Sequence, residues 1–489
     1  MEKTEFPPHV VIFPFPVQGH VNPMLKLAEL LCLSGIHVTF INTLSIQNRL
    51  SRNTDIQSRF NRFPGFRFET IPDGLSNKVP QTYQETHKVM VIFDSLRSTA
   101  KPILKEIILA AGCPSGSSEV TRQGPVTCVI ADGILSVALE VAEDVGIPIL
   151  YFRTASAASF WIYLCLPQLI QNGELPFPGN ELDVPIASIK GMESLLRRRD
   201  LPSFCRVDSV DVPIFQMVLT ETQKTLRTKG LILNTFEEVE GPILDQIRNH
   251  LPKLYSIGPL HAHLKNKIAS ESISQSIHSN SIWEEDKSCL KWLDDQPANS
   301  VIYVSFGSLV TVTKNVLTEF WHGLVNSGQR FLWVIRHDSI TDNDKEAQIE
   351  EELKEGVIEN GYIVSWAPQE EVLAHTAIGG FLTHSGWNST LESIIEGVPM
   401  ICWPQLADQQ INSRYVEEVW KLGLDMKDTC DRVIIEKMVR DLMELRRSEF
   451  LHRANDMTKL ARASVAEGGS SDSNLAGLVQ DIVSMQRKN

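Results

Sequence analysis

The sequence predicts an α/β protein made of two similar halves, each with its own parallel sheet. Short runs of β-branched and aromatic residues alternate with amphipathic helical stretches along the 489 residues. Strands separated by helices imply parallel βαβ units with right-handed crossovers. A serine-rich segment near the middle of the chain separates two sets of these units. A chain of this length is also expected to form two or more domains, because a domain usually holds about 100 to 200 residues.

The first half begins with the apolar run HVVIF, a turn, and the helical stretch NPMLKLAELLCLSG. Further strands are predicted at IHVTFIN, FRFETI, PVTCVIAD, IPILYF and GLILN. The stretch ILSVALEVAEDVG, which follows PVTCVIAD, has the pattern of a helix. We predict an amino-terminal Rossmann-like domain over residues 1–255.

The second half repeats this arrangement after the segment HAHLKNKIASESISQSIHSNSI, which has no apolar stripe that would commit it to a core. We predict an interdomain linker and loop over residues 256–284. Strands at SVIYVSF, QRFLWVI, GYIVSW, GGFLTH, VPMICWP and GLDM define a second Rossmann-like domain over residues 285–470. Residues 471–489 are interpreted as a helix that crosses back to the first domain. Two such domains, facing each other, place a ligand cleft at the carboxyl ends of both sheets.

The composition excludes several classes of protein. A net charge of -14 argues against binding to nucleic acid, because phosphate backbones are bound mainly through clustered Lys and Arg. The eight cysteines are scattered without a C-x-x-C pair, which is typical of reduced thiols in a cytosolic protein. No run approaches the roughly 18 apolar residues of a membrane span, and the first residues include acidic side chains where a signal peptide carries positive charge. We expect a cytoplasmic, monomeric protein without a membrane span.

The turns between strands and helices narrow the choice of ligand. Neither the dinucleotide fingerprint G-x-G-x-x-G nor the P-loop pattern G-x-x-x-x-G-K-[ST] occurs at these turns, so NAD-dependent and P-loop functions lose their main support. The stretch FLTHSGWNSTLES instead indicates a strand end followed by a helix amino terminus. Asn388 and Ser389 are residues that favour helix caps, and His384 adds a donor beside the positive end of the helix dipole. The stretch therefore suits an anion, although capping by Asn388 or Ser389 and core packing by Trp387 explain it equally well when it is taken alone.

The longer stretch from Trp366 to Gln409, beginning WAPQEEVLAH and ending CWPQLADQ, resembles the plant secondary-product glycosyltransferase box of family 1 UDP-glycosyltransferases. Shorter similarities at FPFPVQGHVNPML, IPDGLS, NTFEEVE, IGPL, VSFGSL and GGSS extend the resemblance over most of the chain. The resemblance implies a GT-B fold. It also implies transfer of a sugar from a UDP-sugar with inversion at the anomeric carbon.

Carried onto this sequence, the resemblance implies the residues that bind the donor. Trp366 stacks under the uracil, Gln369 lies beside the base and ribose, and Glu392 accepts hydrogen bonds from the ribose hydroxyls. The residues implied for the diphosphate are Ser308, His384, Asn388 and Ser389. The residues implied for the sugar are Thr154, Trp387, Asp408 and Gln409. Ser385 and Leu406 depart from the residues most frequent in the family, but neither changes a polar group expected to touch the donor.

The same resemblance supplies a general base. His20, in the turn after the first strand, matches the catalytic histidine of the family, and Asp132 matches the aspartate that orients it. A positioned base accelerates such a transfer by roughly 10²- to 10⁴-fold, and histidine has a suitable pKa. The alternatives are a structural or exposed histidine and an aspartate that caps the following helix. Asp342-Asn343-Asp344 looks like the D-x-D of metal-dependent transferases, but it lies in a strongly polar run, so no metal and no cofactor besides the UDP-glucose donor is expected.

The acceptor is indicated only in outline. Gln409 at the end of the box is similar to the residue of glucose-using members, which favours UDP-glucose. The stretches SAASFWIYLCLPQL and FDSLRSTAKPIL offer apolar walls for a small lipophilic acceptor. The first domain, with FRTASAASFW, looks like plant enzymes that glucosylate terpenoids, including iridoids such as 7-deoxyloganetic acid, at a hydroxyl or a carboxyl group. Glucosylation of flavonoid or phenolic acceptors is the alternative; a non-catalytic nucleotide-sugar binding protein is disfavoured by the intact pair of His20 and Asp132.

Overall fold

The computed structural model describes residues 6–74, 85–111, 123–270, 279–336, 338–340 and 360–486. Within these ranges the chain forms two parallel sheets, each covered by helices. The predicted α/β class with two parallel-sheet domains is confirmed.

The first sheet has the strand order β3-β2-β1-β4-β5-β6-β7, and every neighbouring pair is parallel. Its strands are β1 His9–Phe13, β2 His37–Thr43, β3 Phe66–Ile71, β4 Cys128–Asp132, β5 Ile149–Arg153, β6 Leu231–Leu233 and β7 Leu254–Ser256. The sequence did not predict β7. This edge strand, Leu-Tyr-Ser, contains no β-branched residue.

The second sheet has the order β10-β9-β8-β11-β12-β13 and is also parallel throughout. Its strands are β8 Val301–Ser305, β9 Arg330–Val334, β10 Gly361–Val364, β11 Ile378–Thr383, β12 Met400–Cys402 and β13 Gly423–Asp425. All six were predicted. Their apolar runs are nearly continuous because helices cover both faces of a parallel sheet.

Helices connect the strands and close the chain. The α-helices of the described residues are α1 Gln18–Leu33, α2 Leu44–Asn53, α3 Ile56–Phe60, α4 Glu85–Ala110, α5 Ser136–Val145, α6 Ala157–Gln171, α7 Pro213–Lys224, α8 Glu237–Arg248, α9 Leu260–Ser270, α10 Ser288–Asp294, α11 Lys314–Ser327, α12 Gln369–Leu373, α13 Trp387–Glu396, α14 Gln409–Arg414, α15 Arg432–Arg440, α16 Arg447–Ser464 and α17 Ser470–Gln486. Short 3₁₀ turns span Arg198–Asp200, Ser203–Cys205 and Thr225–Arg227, and π-helical turns span Tyr415–Val419 and Asp441–Leu445. In this part of the chain, no helix combines the length and the apolar character needed to cross a membrane.

Part of the segment interpreted as a linker and loop is helical. Helix α9 buries Leu260 and Leu264 and packs a partly buried Ile268 against the core on one face of the first sheet. The loop interpretation is wrong for these residues, because the three side chains, spaced four apart, form an apolar stripe that the following serines obscure. The domain boundaries themselves stay a prediction.

The last helix, α17, packs against the first sheet. Its buried side chains Leu475, Leu478 and Ile482 share a core with residues of β1. Asn474 Nδ2 donates to the Ser256 carbonyl oxygen at 3.0 Å, at the end of the edge strand β7. The carboxyl-terminal helix thereby ties the chain's end to the first sheet.

Candidate active site

The carboxyl ends of the two sheets face a cavity of about 370 Å³. Every site residue predicted from the sequence lines it: His20, Asp132, Thr154, Ser308, Trp366, Gln369, His384, Trp387, Asn388, Ser389, Glu392, Asp408 and Gln409. These residues come from strand ends, turns and helices in both halves of the chain. The structure brings them together, while the role of each one stays a prediction.

His20 and Asp132 form a close pair on the side of the first sheet. His20 lies in the first turn of α1, directly after β1, and Asp132 ends the neighbouring strand β4. His20 Nδ1 lies 2.5 Å from Asp132 Oδ2, and Thr154 Oγ1 lies 3.4 Å from both ring nitrogens. The Asp132 side chain is 1% exposed, whereas that of His20 is 24% exposed. A buried carboxylate thus fixes a ring that the cavity can reach.

The alternative role of Asp132 as a helix cap finds little support. The residue at the N-cap of α5 is Leu135, and it makes no side-chain cap bond. Asp132 Oδ1 accepts a hydrogen bond from the Ile134 backbone at 3.3 Å, and its Oδ2 accepts one from the Phe15 backbone at 3.3 Å. These bonds hold the carboxylate in the turn, pointing at His20.

The stretch FLTHSGWNSTLES forms the end of β11 and the start of α13, as predicted. The N-cap is Gly386, which has no side chain, so Asn388 and Ser389 lie inside the first turn. The first intrahelical bond runs from the Thr390 N–H to the Gly386 carbonyl oxygen at 3.0 Å. The preceding N–H groups have no acceptor within the helix, and they carry the positive end of its dipole. This helix terminus lines the cavity and suits a phosphate.

The His384 ring lies beside that helix terminus, between the turns that contain Gly307 and Gly386. A Cβ atom added to Gly307 would lie 2.5 Å from His384 Nε2, and one added to Gly386 would also collide with the ring. Gly307 has a φ of +76°, in the region that favours glycine. Burial, followed by the charge of Arg336, lowers the pKa of His384 to about 4. The imidazole is therefore neutral near pH 7 and offers a hydrogen bond without charge.

The expected ribose and base site contains a connected set of polar groups. Gln369 Nε2 donates to Ser389 Oγ at 2.9 Å and to Glu392 Oε2 at 2.6 Å. Burial, followed by the charge of Glu370, raises the pKa of Glu392 to about 7. The carboxyl group next to the ribose site therefore titrates near neutral pH.

Two residues outside the glycosyltransferase box contact the Trp366 side chain. Its Nε1 donates to Ser281 Oγ at 2.9 Å, and its ring centroid lies 5.9 Å from that of Trp283. Sequence analysis missed both partners: Ser281 lies at the end of the serine-rich segment, and Trp283 lies directly after it. The lone aromatic in SNSIWEED was the only signal there.

The expected sugar side is a rigid loop before α14. Gln409 Oε1 accepts from the backbone N–H groups of Gln405 and Leu406, each at 2.8 Å. Asp408 Oδ2 accepts from Asn412 Nδ2 at 3.0 Å, and burial raises the pKa of Asp408 to about 6. These bonds fix the two side chains at the cavity wall.

Two residues of α13 contact the first domain, which the sequence did not predict. The Trp387 indole N–H donates to the Asn234 carbonyl oxygen at 2.7 Å. Asn388 Nδ2 donates to the Gly19 carbonyl oxygen at 2.8 Å. The indole N–H already has a partner, so only the ring of Trp387 is open to a sugar in this structure.

The rest of the cavity wall is largely apolar. It is formed by Val17, Val89, Ile134, Tyr163, Phe204, Ile214, Met217, Val218 and Leu406. Only Tyr163 belongs to the first predicted wall, SAASFWIYLCLPQL. The second, FDSLRSTAKPIL, contributes none, because Phe93 and Leu96 pack into the core, and Val89, one helical turn earlier, reaches the cavity. The sequence analysis missed the part of the wall from Phe204 to Val218. The amphipathic pattern of α7 was the signal that could have indicated it.

No group of three or more His, Cys, Asp or Glu side chains that could hold a metal ion occurs in the ranges that the structure describes. The string Asp342-Asn343-Asp344 lies outside those ranges.

The chain is similar to known glycosyltransferases. The family model for UDP-glucoronosyl and UDP-glucosyl transferase matches residues 275–443. The chain is 56% identical over 484 residues to a 7-deoxyloganetic acid glucosyl transferase of Catharanthus roseus, covering 99% of both chains. It is 39% identical over 492 residues to a 7-deoxyloganetin glucosyltransferase of Gardenia jasminoides, covering 97% of this chain and 98% of that one.

Among solved structures, Os79 from O. sativa in complex with UDP superposes with a TM-score of 0.77 at 27% identity, covering 97% of this chain and 100% of that one. The predicted GT-B fold, the family and the enzyme class are confirmed. Because relatives of this identity cover nearly the whole chain, the protein belongs to the UDP-glucoronosyl and UDP-glucosyl transferase family and is a UDP-sugar-dependent glycosyltransferase.

Proposed function

We propose that the protein transfers glucose from UDP-glucose, with inversion, to a hydroxyl or carboxyl group of a small lipophilic plant metabolite, an iridoid such as 7-deoxyloganetic acid. The observation that carries this proposal is the pair of His20 and Asp132, 2.5 Å apart, in the same cavity as the complete donor box. The name of the relative that is 56% identical supports the choice of acceptor.

The reaction follows from the geometry of the pair. With Nδ1–H donating to Asp132, His20 keeps a lone pair on Nε2, which takes the proton of the acceptor hydroxyl. The acceptor oxygen then bonds to the anomeric carbon from the side opposite UDP, and the bond from that carbon to the β-phosphate oxygen breaks. Asp132 stabilises the imidazolium that forms.

The second domain stabilises the leaving group. The negative charge that develops on the β-phosphate is met by the free N–H groups of α13, by Asn388 and Ser389, and by His384 and Ser308. We propose that these groups replace a metal ion. Unchanged turnover after treatment with EDTA is the expected result, and loss of turnover restored by a divalent cation would contradict it.

The remaining donor contacts are proposed on the same basis. Trp366 stacks on the uracil, with Gln369 beside the base and ribose and Glu392 on the ribose hydroxyls. The glucose hydroxyls are bound by Asp408 and Gln409, beside the ring of Trp387 and near Thr154. We further propose a monomer in the cytoplasm.

An acceptor screen tests the function. Purified protein with UDP-glucose is offered iridoids, other terpenoids, flavonoids and phenolic acids, and products are identified by mass spectrometry. The expected result is a mono-glucoside of 7-deoxyloganetic acid that His20→Ala does not form. Products from flavonoids or phenolic acids alone would favour that acceptor class, and bound UDP-glucose without any product would favour a non-catalytic binder.

A further inference from the structure

An arginine lies deep in the acceptor side of the cavity. Arg153 is the last residue of β5, lines the cavity, and is only 4% exposed. Its stem passes over Gly133, where an added Cβ would lie 2.7 Å from Arg153 Cδ. A buried cation at a strand end requires a reason, because burying an unpaired charge is strongly unfavourable.

The hydrogen bonds of Arg153 do not supply that reason. A guanidinium has five N–H donors. Nη2 donates to Thr222 Oγ1 at 2.7 Å, Nε is buried without a partner, and Nη1 donates to no residue that the structure describes. The side chain also lies over the Phe160 ring, at 5.4 Å from the centroid. Most of its donors are therefore unused.

The neighbouring carboxylates are engaged elsewhere. Burial lowers the pKa of Arg153, and the charge of Asp132, followed by smaller contributions that include Glu221, acts in the opposite direction. Asp132, however, is bound to His20, and Glu221 pairs with Lys224 at 3.0 Å. Within the described residues, no carboxylate lies within ion-pair distance of Arg153. The guanidinium therefore has no carboxylate partner for its charge, and the Nη1 donors are left for a ligand.

The location of Arg153 links it to the reacting atoms. The next residue, Thr154, contacts both ring nitrogens of His20 at 3.4 Å. Other residues that line the cavity are apolar, including Ile134, Phe204 and Met217. In such surroundings a carboxylate binds well only beside a cation, and a guanidinium matches its geometry.

We propose that Arg153 binds a carboxylate of the acceptor, so that the substrate is a compact hydroxy acid held by Arg153 and attacking through its hydroxyl group. This inference rests on the proposed function and makes it more specific. The hydroxyl proton passes to His20 Nε2, the oxygen bonds to the anomeric carbon, and UDP leaves. The carboxylate stays ionised against the guanidinium, so the product is a glucoside and not a glucose ester.

The test compares one acid with its neutral form. Wild-type protein, Arg153→Gln and Arg153→Lys are assayed with 7-deoxyloganetic acid and with its methyl ester. Arg153→Gln removes a charged hydrogen-bond donor from the carboxylate. We therefore expect it to lower kcat/KM for the acid by about 10- to 100-fold and to change kcat/KM for the ester by less than about threefold. Arg153→Lys is expected to fall between wild type and Arg153→Gln for the acid.

A matched control is Arg198→Gln. Arg198 is 8% exposed, does not line the cavity, and donates to the carbonyl oxygens of Pro178, Gly179 and Glu181. Its loss is expected to leave the ratio of acid to ester unchanged. UDP-glucose binding and Tm report whether each variant is folded, and Arg153→Lys carries the comparison if Arg153→Gln does not fold.

Several outcomes would overturn the inference. Equal losses for acid and ester would make Arg153 structural, and an unchanged acid rate would remove it from recognition. A product that mild base hydrolyses would identify a glucose ester and contradict the orientation. A wild-type protein that glucosylates the ester but not the acid would overturn only this inference, whereas one that glucosylates neither would overturn the proposed function as well.

Discussion

The two domains each place a histidine after a strand and beside a helix start, yet the two rings differ in their surroundings. His20 follows β1 and lies 2.5 Å from a buried carboxylate. His384 follows β11, has no acidic side chain at ion-pair distance among the described residues, and faces the charge of Arg336. The same turn therefore gives a ring bound to a buried carboxylate, the arrangement proposed for the base, in one domain and a ring that stays neutral in the other. The neighbours, and not the histidine or its place in the turn, determine the chemistry.

Removing the base is expected to have the largest effect. His20→Ala should lower kcat by roughly 10²- to 10⁴-fold, the range of general base catalysis, because no other group takes the acceptor proton. Binding of UDP-glucose, measured by calorimetry, should be nearly unchanged. Because Asp132 acts through His20, Asp132→Asn added to His20→Ala should cost little more. Full activity of His20→Ala would contradict the assignment of His20 as the base and remove the proposed difference between the two histidines.

The neutral histidine should affect the donor instead. His384→Ala is expected to lower kcat/KM for UDP-glucose by about 10²-fold, since it removes one donor from the developing charge on the phosphate. His384→Gln, which keeps a neutral donor, should retain more activity than His384→Ala. Steady-state kinetics at varied UDP-glucose checks this. A loss confined to the acceptor KM would contradict the assignment.

The donor side should also show a dependence on pH through Glu392. Its pKa is raised to about 7, so the carboxyl loses its proton on going from slightly acidic to slightly alkaline solution. If only the ionised form accepts the ribose hydroxyls, affinity for UDP-glucose rises roughly tenfold from about pH 6 to about pH 8. His384, with a pKa lowered to about 4, does not titrate in this window. Equilibrium binding without acceptor measures the effect, and Glu392→Gln should abolish it.

The raised pKa of Glu392 also predicts the direction in which stability changes with pH. The folded form holds the proton of Glu392 more tightly than the unfolded chain, in which this carboxyl has its ordinary pKa of 4.5. The stabilising contribution is complete below that value and is lost as pH rises through about 7. The Tm without donor should therefore fall over this range by less in Glu392→Gln than in wild type.

The smallest expected effect comes from the glycine that supports His384. Gly307→Ala places a methyl group 2.5 Å from the ring and forces a left-handed backbone, which costs about 1 kcal/mol. Gly328, with a φ of +71° and no atom within 4 Å of an added Cβ, provides the control. Both alanine variants should lower Tm, but only Gly307→Ala should raise the KM for UDP-glucose. A raised KM in both would show a general loss of structure.

The sequence predicted most of the strands from their apolar patterns, and its resemblance to a known family supplied the candidate site residues, which meet at the cavity. Buried parallel strands are long apolar runs, and the cavity residues lie at strand ends and helix starts, where the topology brings them to one edge. The edge strand β7 was not predicted, and its residues Leu-Tyr-Ser include no β-branched side chain. Helix α9 was not predicted because serines follow its apolar stripe.

The contacts across the cleft could not be predicted from the sequence. The bonds from Trp387 to Asn234 and from Asn388 to Gly19 join residues more than 150 positions apart, and no local pattern records such pairs. The acceptor wall at Phe204 and Met217 was missed for a similar reason. Their apolar character was visible, but the direction in which they face depends on how the segment from Arg198 to Val218 lies over the first sheet.

The helix proposed to bind the phosphates, α13, is also a helix that contacts the other domain. Asn388 has one side chain amide, and in this structure it already donates to Gly19. A donor phosphate that draws on the same amide, or strengthens its position, changes the free energy of contact between the domains. By thermodynamic reciprocity, any change in that contact must alter donor affinity by the same factor. We therefore expect occupancy of the proposed nucleotide-sugar site and the contact between the two domains to be coupled.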